Sequence, residues 1–359
     1  MIKPWKQRAV RMQSAVGIDI SDGSLELAKI IFENGIPRLT NHSRIELPAA
    51  TIVNGILIDE STVFHAIREL CAAGHIDPHG QPVLTALPDQ QVVVRIIEIA
   101  DLAQHSYEEL ADRAREASIP ASRGITSPVM QWHAWRTNGK RGALAIFTTS
   151  RLYIEQWRAF FEQHHMRLES VEMESLALAR AVLPSVPAGH RIALLDMGYR
   201  ATALAVFEGS GLVFSLVIPG GMASINAARA TNHATSTEQI QHRHDHYTGA
   251  DGELIQRILV QQLTAARTAL VDNNCVPQKL YLTGGGSLLP EAAQRIASIM
   301  SVPTVAARLT PSSGGYAMHT VHAQLTPSEQ HLYAGAIGIA LKGRDPHTSQ
   351  TGINFLNAE

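Results

Sequence analysis

The sequence predicts an α/β protein of two related lobes, with a compact α+β segment inserted into the first. Three observations carry that prediction. One pattern occurs twice: an apolar strand ending in an acid, a small-residue turn, a second strand, then Phe-Glu. Its copies are residues 15–33, with Asp19, Ser21, Asp22, Gly23 and Ser24, and residues 192–209, with Asp196, Gly198 and Thr202. Later a strand over 279–283 runs into Gly284-Gly285-Gly286, with a helix expected from about Leu288. Between the hairpins, residues 85–170 have a texture of their own: short strands, a capping signal and an aromatic cluster.

Composition narrows the class. A chain of 359 residues, 45% hydrophobic and 17% charged, is long and apolar enough for two or more cores. A formal net charge of -2 gives no bulk attraction for nucleic acid. The two cysteines, Cys71 and Cys275, lie in separate segments, which argues against a disulfide scaffold and fits a reducing compartment. No apolar run approaches the length that spans a bilayer. Residues 1–12 are basic but lack the apolar core of a signal peptide. These features predict a soluble cytoplasmic protein. The basic stretch around Trp5, with Lys3, Lys6, Arg8 and Arg11, reads as a solvated terminus, its alternative being contact with an anionic membrane surface.

The elements follow in order. Strands are expected over 15–20 and 25–32, with Asn34-Gly35 supplying the positive-φ pair of a hairpin turn, and a third strand ends near Leu47. Val63, Phe64, Ile67, Leu70 and Cys71 repeat at helical spacing; Asp59 or Ser61 caps that helix and Gly74 stops it. In the insertion, strands are expected over 83–87, 92–99, 130–135 and 143–149. Ser106-Tyr-Glu-Glu109 is a capping box opening a helix to about Ser118, closed by Ile119-Pro120. A further helix carries Ile154, Trp157 and Phe161. After the second hairpin come Pro219-Gly220-Gly221, helical segments, a long helix with Leu254, Ile255, Ile258, Leu259, Leu263 and Leu270 on one face, and a last helix near 329–341. Residues 343–359 read as a loop or tail.

Each motif carries chemistry. An acid at a strand end beside small residues suits a hydrated Mg²⁺, while Gly and Ser let backbone N–H groups approach phosphate oxygens. Asp-x-Ser-Asp-Gly is also ordinary hairpin chemistry, so neither Asp19 nor Asp196 is decisive alone. A strand entering three glycines and a helix gathers free donors and a positive helix end at one spot. It is neither a Walker A loop nor a dinucleotide fingerprint.

The order of the three elements, followed by the late Ala334-Gly335-Ala336-Ile337-Gly338 helix, resembles the actin/Hsp70/sugar-kinase superfamily. Within it, the chain resembles the PilM family of type IV pilus assembly, in the actin-like FtsA/PilM group. The resemblance lies in Val16-Gly-Ile-Asp-Ile20, Asn54-Gly55-Ile56 with Asp59, Leu195-Asp-Met-Gly198, Ile218-Pro-Gly-Gly221, Leu282-Thr-Gly-Gly-Gly-Ser-Leu-Leu-Pro290 and the closing helix.

The resemblance implies an actin-like, ribonuclease H-like fold. Its first lobe is 1–84, continued by about 171–189 and 329–342; the inserted subdomain is 85–170. The second lobe is 190–328, with a helical part near 222–278, and 343–359 form a tail. It implies ATP between the lobes. Asp19, Ser21, Asp22, Gly23 and Ser24 would form the first phosphate loop and Asp196 with Gly198 the second, with Thr202 and Gly220 beside it. Gly284, Gly285, Gly286 and Leu289 would face ribose, adenine and the α-phosphate. Asp19 and Asp196 would hold Mg²⁺ through water, with slow or absent turnover.

The implied partner is the cytoplasmic N-terminal peptide of a PilN-like bitopic inner-membrane protein, in a groove between the first lobe and the insertion. Pilus motor ATPases are further partners, and the chain would sit peripherally at the inner membrane. Two alternatives share the fold: an ATP-dependent sugar or acid kinase, and an FtsA-like filament former. Ser21 stands where the family commonly has Gly, Glu26 where a basic residue is common, and 238–244 match the adenine-side helix poorly. His242 and His246 sit at i, i+4, a spacing that chelates Zn²⁺ or Ni²⁺, but the one further ligand nearby, Asp245, falls on another face of a helix. The aromatic set Trp132, Trp135, Trp157, Phe160 and Phe161 reads chiefly as core, its alternative being that an exposed part forms a peptide groove.

Overall fold

The computed structural model describes residues 12–33, 36–137, 141–184, 186–187, 189–209, 211–233, 249–309, 325–344 and 353–358. Two compact units divide the chain: Met1–His190 with Phe207–Val213 and Arg308–Glu359, and Arg191–Val206 with Phe214–Ala307. The expected Asn34-Gly35 turn, the basic stretch around Trp5 and the His242–His246 pair lie outside the described residues.

In the first unit, β1 (Ser14–Ile20), β2 (Ser24–Glu33) and β3 (Ile36–Glu46) form an antiparallel run. A short pair, β4 (Ile52–Val53) and β5 (Ile56–Leu57), leads into α1 (Glu60–Ala73). Asp59 caps α1, accepting the Thr62 amide at 3.0 Å, and Val63, Ile67, Leu70 and Cys71 form its buried stripe. The helix stops at Gly74, as expected, but the left-handed residue is His75.

β6 (Pro82–Leu87) then pairs parallel with β1. β1 is thereby central and almost continuously buried, as an apolar strand covered on both faces must be.

The insertion builds its own layer. β7 (Val93–Ile99), α2 (Tyr107–Ala121), β8 (Pro128–Arg136) and β9 (Gly142–Ser150) give a three-stranded antiparallel sheet in the order β7-β9-β8. The Ser106–Glu109 capping box is present as expected. The expected stop at Pro120 is corrected: α2 runs to Ala121 with Pro120 in its final turn, closed by Ser122 N donating to Ser118 O at 2.8 Å. Ile99, Leu102, Leu110, Ala114, Leu144 and Ile146 are the core of this layer.

α3 (Arg151–Gln163) buries Trp157, Phe160 and Phe161, and Trp135 is buried on β8, while Trp132 is only half-buried. β10 (Arg167–Met173) pairs parallel with β6, and α4 (Glu174–Val182) follows it. The first sheet reads β10-β6-β1-β2-β3.

The second unit repeats that order. β11 (Arg191–Met197), β12 (Ala201–Glu208) and β13 (Gly211–Pro219) precede α5 (Met222–Asn232) and α6 (Gly249–Asp272). β14 (Lys279–Thr283) pairs parallel with β11, and after α7 (Ala292–Met300) β15 (Thr304–Ala306) pairs parallel with β14. The sheet reads β13-β12-β11-β14-β15.

The helix expected from Leu288 begins instead at Ala292. Gly285–Leu288 form a 3-10 turn, and Glu291 is left-handed at φ 55°, which breaks any continuous helix from the glycines. The last helix, α8 (Pro327–Leu341), returns to the first unit and packs on β1 and α4. The stretch read as a loop or tail contains a 3-10 turn over Phe355–Asn357, with Ile353 and Phe355 buried.

Candidate functional site

The second unit gathers the sequence-predicted residues most tightly. β11 and β14 run parallel with Asp196 opposite Thr283, so both end at the carboxyl edge of the sheet, where open α/β sheets bind ligands. The Thr283 hydroxyl donates to Asp196 Oδ1 at 2.8 Å. Burial raises the Asp196 carboxyl above its ordinary value, and the Thr283 hydrogen bond opposes that rise.

The glycines here are close-approach residues. A Cβ on Gly284, at φ 74°, would stand 2.6 Å from the Met197 carbonyl oxygen and 2.7 Å from Asp196 Oδ1. On Gly286 it would stand 2.4 Å from the Met197 side chain. Gly285 alone has room, its nearest neighbour being Met222 Cγ at 3.6 Å. Ser287 Oγ and the Leu289 amide donate back to Gly284 O and Gly286 O, and Leu289 is buried.

The Asp-x-Gly turn docks on the start of α5. Gly198 N donates to Ala201 O at 3.1 Å, while Gly198 O and Tyr199 O accept the Met222 and Ala223 amides at 3.0 and 2.8 Å. A Cβ on Gly221 would lie 2.3 Å from Gly198 O. Gly220 donates to Arg200 O, and its carbonyl accepts the Thr202 hydroxyl at 3.2 Å. Asp196, Gly198, Thr202, Gly220 and Gly284 to Gly286 therefore form one connected cluster.

In the same unit an open hollow of about 540 Å³ is lined by Gly252, Glu253, Gln256 and Arg257 of α6 and Arg295 of α7. Arg295 donates to Gly252 O at 3.0 Å, Glu291 Oε2 at 3.0 Å and Pro290 O at 3.3 Å, tying the exit of the glycine loop to α6. The sequence reading missed this set. Residues 238–244, the poor match to the adenine-side helix, lie outside the described residues, and Glu253 and Arg257 share a face at i, i+4 on α6. A buried ion pair, Arg229–Asp251 at 3.4 Å, joins α5 to α6.

The first hairpin is arranged differently. Asp19, near the end of β1, turns its carboxylate to α8, where a Cβ on Gly335 would lie 1.8 Å from Oδ2. Ser21 closes its own turn: its amide and hydroxyl donate to Ser24 O at 3.0 Å each, and its Oγ accepts the Gly23 and Ser24 amides at 3.4 and 3.1 Å. Asp22 turns to the β4–β5 turn, accepting the Asn54 and Gly55 amides at 2.8 and 3.1 Å. Glu26, opposite Asp19 in the register, is buried and paired with Arg44 at 2.8 Å. Burial raises its carboxyl despite Arg44. No group of three or more His, Cys, Asp or Glu residues able to hold a metal occurs among the described residues.

A family profile described as type IV pilus assembly protein PilM matches residues 17–344. The chain belongs to this family. The fold of this PilM-family chain is actin-like. It superposes on the solved PilM-PilN type IV pilus biogenesis complex with a TM-score of 0.76 at 18% identity, over 94% of this chain and 100% of that chain. Ethanolamine utilization protein EutJ from Carboxydothermus hydrogenoformans gives 0.57 at 13% identity, over 93% and 91% of the two chains. MreB 5 of Spiroplasma citri bound to AMPPNP gives 0.51 at 10% identity, over 92% and 96%. A search of curated proteins found no match. Among the described residues, no helix is long and apolar enough to cross a membrane.

Proposed function

We propose that this PilM-family chain is a cytoplasmic ATP-binding scaffold of type IV pilus assembly. Its partner is the short cytoplasmic N-terminal peptide of a PilN-like bitopic inner-membrane protein, which brings it to the inner face of that membrane. Pilus motor ATPases are further partners in this reading. The observation that carries it is the match along the whole length of the protein solved in the PilM-PilN complex.

The nucleotide reading rests on the second unit, whose residues fit the group. Asp196 offers a carboxylate beside a turn where Gly198 and Gly285 keep side chains out of the way, the donor chemistry a hydrated Mg²⁺ and a phosphate require. The hollow edged by Glu253, Arg257 and Arg295 has the size and polarity for a base and ribose. Thr202, Gly220, Gly284, Gly286 and Leu289 shape this turn system through packing and hydrogen bonds. ATP, when bound, supplies a polyphosphate charge for these groups to hold.

In the first hairpin, Asp19 would offer a carboxylate to a hydrated Mg²⁺, its other packing being against α8. Asp22, Gly23 and Ser24 act there chiefly through the shape of the loop, because Ser21 and the β4–β5 turn already use their polar groups.

Affinity capture tests the partner. The full chain should retain a synthetic cytoplasmic peptide of a PilN-like protein encoded beside it, and a scrambled peptide should wash through. Equal retention of both peptides, or of neither, overturns the reading.

A further inference from the structure

Residues 353–357 lie as a strap on the first unit, and their contacts are those of a bound peptide. Ile353 and Phe355 are 1% and 2% exposed. Between them, Asn354 substitutes for a strand. Its Oδ1 accepts the Val171 amide at 3.1 Å and its Nδ2 donates to Glu169 O at 3.0 Å. β10 is the edge strand of its sheet, and its register slips between Leu168 and Ser170. An edge with a bulge leaves backbone donors and acceptors unpaired. One carboxamide, with its single acceptor oxygen and its N–H donors, answers both the Glu169 carbonyl and the Val171 amide.

The other side of the strap is read through its backbone. Arg158 of α3 donates to Leu356 O at 3.4 Å and Gln131 of β8 to Asn357 O at 3.1 Å. Lys342, buried beside Glu172, donates to Ile353 O. Asn354 Oδ1 also accepts the Leu356 amide at 3.1 Å, which fixes the turn of the strap. These contacts require a short segment that is extended at its Asn and then turns, with apolar side chains on either side of that Asn. They require nothing else from the chain that carries it, which is how backbone-reading peptide sites work.

We propose that β10, β8 and α3 frame a peptide-binding groove, that residues 353–357 are its intramolecular occupant, and that the partner's cytoplasmic peptide competes with them for it. The competition rests on the partner reading above; the self-occupancy does not. Because an intramolecular segment acts at a high effective concentration, the strap would set the threshold the partner must exceed.

The test uses the full chain and a fluorescein-labelled peptide of residues 350–359, followed by anisotropy. The labelled peptide should bind the double variant Asn354→Ala, Phe355→Ala at least tenfold more tightly than the wild-type chain, whose groove is filled. If the double variant fails to fold, Asn354→Ala alone is read in the same way. A peptide carrying the Asn354→Ala change should lose at least tenfold in affinity. Unlabelled partner peptide should then displace the labelled one.

Equal or absent binding of the 350–359 peptide to a folded variant overturns the self-occupancy. Partner binding without displacement overturns the competition and leaves the partner reading standing. If the partner peptide binds no form while the 350–359 peptide binds, the partner reading and the competition both fall and the internal ligand stands.

Discussion

The Asp19 carboxylate fills the space a side chain would need at Gly335: a Cβ there would stand 1.8 Å from Oδ2. The same helix presses on β1 and α4 elsewhere. A Cβ on Gly17 would stand 2.2 Å from Ala336 O, and one on Gly338 would stand 2.0 Å from Ala177 O. Gly17 and Gly335 thus set how closely α8 approaches β1, Gly338 sets its approach to α4, and Gly335 also sets where Asp19 can point.

These contacts predict an order of cost. Gly335→Ala meets a carboxylate that can rotate, so it should lower stability by about 1–3 kcal/mol, the usual range for overpacking. Gly17→Ala meets backbone atoms that cannot rotate away, and it should cost more. Urea denaturation of both variants decides the matter; equal losses would show that the Asp19 contact is as rigid as the helix backbone.

Beneath α8 lies a buried charge cluster. Glu172 receives Arg180 through two bonds of 2.8 Å and Lys342 at 3.2 Å. Burial pushes the Glu172 carboxyl up, but Arg180 and then Lys342 outweigh it and hold it below its ordinary value. Burial lowers Lys342 from 10.5 to about 8 despite Glu172.

Glu172→Gln should therefore cost about 3–5 kcal/mol, because it strands two buried cations. Lys342→Met should cost less. The pH dependence has a definite sign. Between about 8 and 10.5 the unfolded chain binds more protons at Lys342 than the folded one, so its contribution raises stability as pH rises. At the acid end, the Glu172 contribution is lost as pH falls through its depressed folded value. Unfolding free energies across the alkaline window should climb more steeply for wild type than for Lys342→Met; parallel curves would contradict this.

Much of the fold was legible because its signals are local. The Ser106–Glu109 box, the Asp59 cap and the buried stripe of α1 each depend on residues within about one or two helical turns. The doubled hairpin was legible as a pattern, but its two uses were not. Whether Asp196 meets Thr283 depends on a parallel pairing across 87 residues. Glu291 adopting a left-handed conformation leaves no composition signal, so the start of α7 was placed too early. Residues 353–357 read as a tail because three apolar residues in so short a stretch carry no sustained periodicity, and the burial of Ile353 and Phe355 comes from tertiary contacts with β10 and its neighbours. The α6–α7 hollow was missed for a similar reason: Arg295 joins Glu253 and Arg257 only in three dimensions.

Ser21 gives a prediction that separates two roles. Its Oγ holds the Gly23 and Ser24 amides, so Ser21→Ala should lower stability by about 1 kcal/mol, the net worth of one hydrogen-bonded hydroxyl. It should also leave Mg-ATP affinity unchanged or tighter, since those amides are released. A weaker affinity, measured by calorimetry, would mean that the hydroxyl itself contacts the nucleotide.

The most direct test of the account is Mg-ATP binding to the full chain, with phosphate release followed in the same sample. The nucleotide-binding scaffold reading predicts saturable binding that Asp196→Asn weakens at least tenfold, with the folded state intact by circular dichroism and with little or no phosphate released. Binding that is absent, or that is indifferent to Asp196→Asn, would contradict the site; rapid sustained phosphate release would contradict the scaffold.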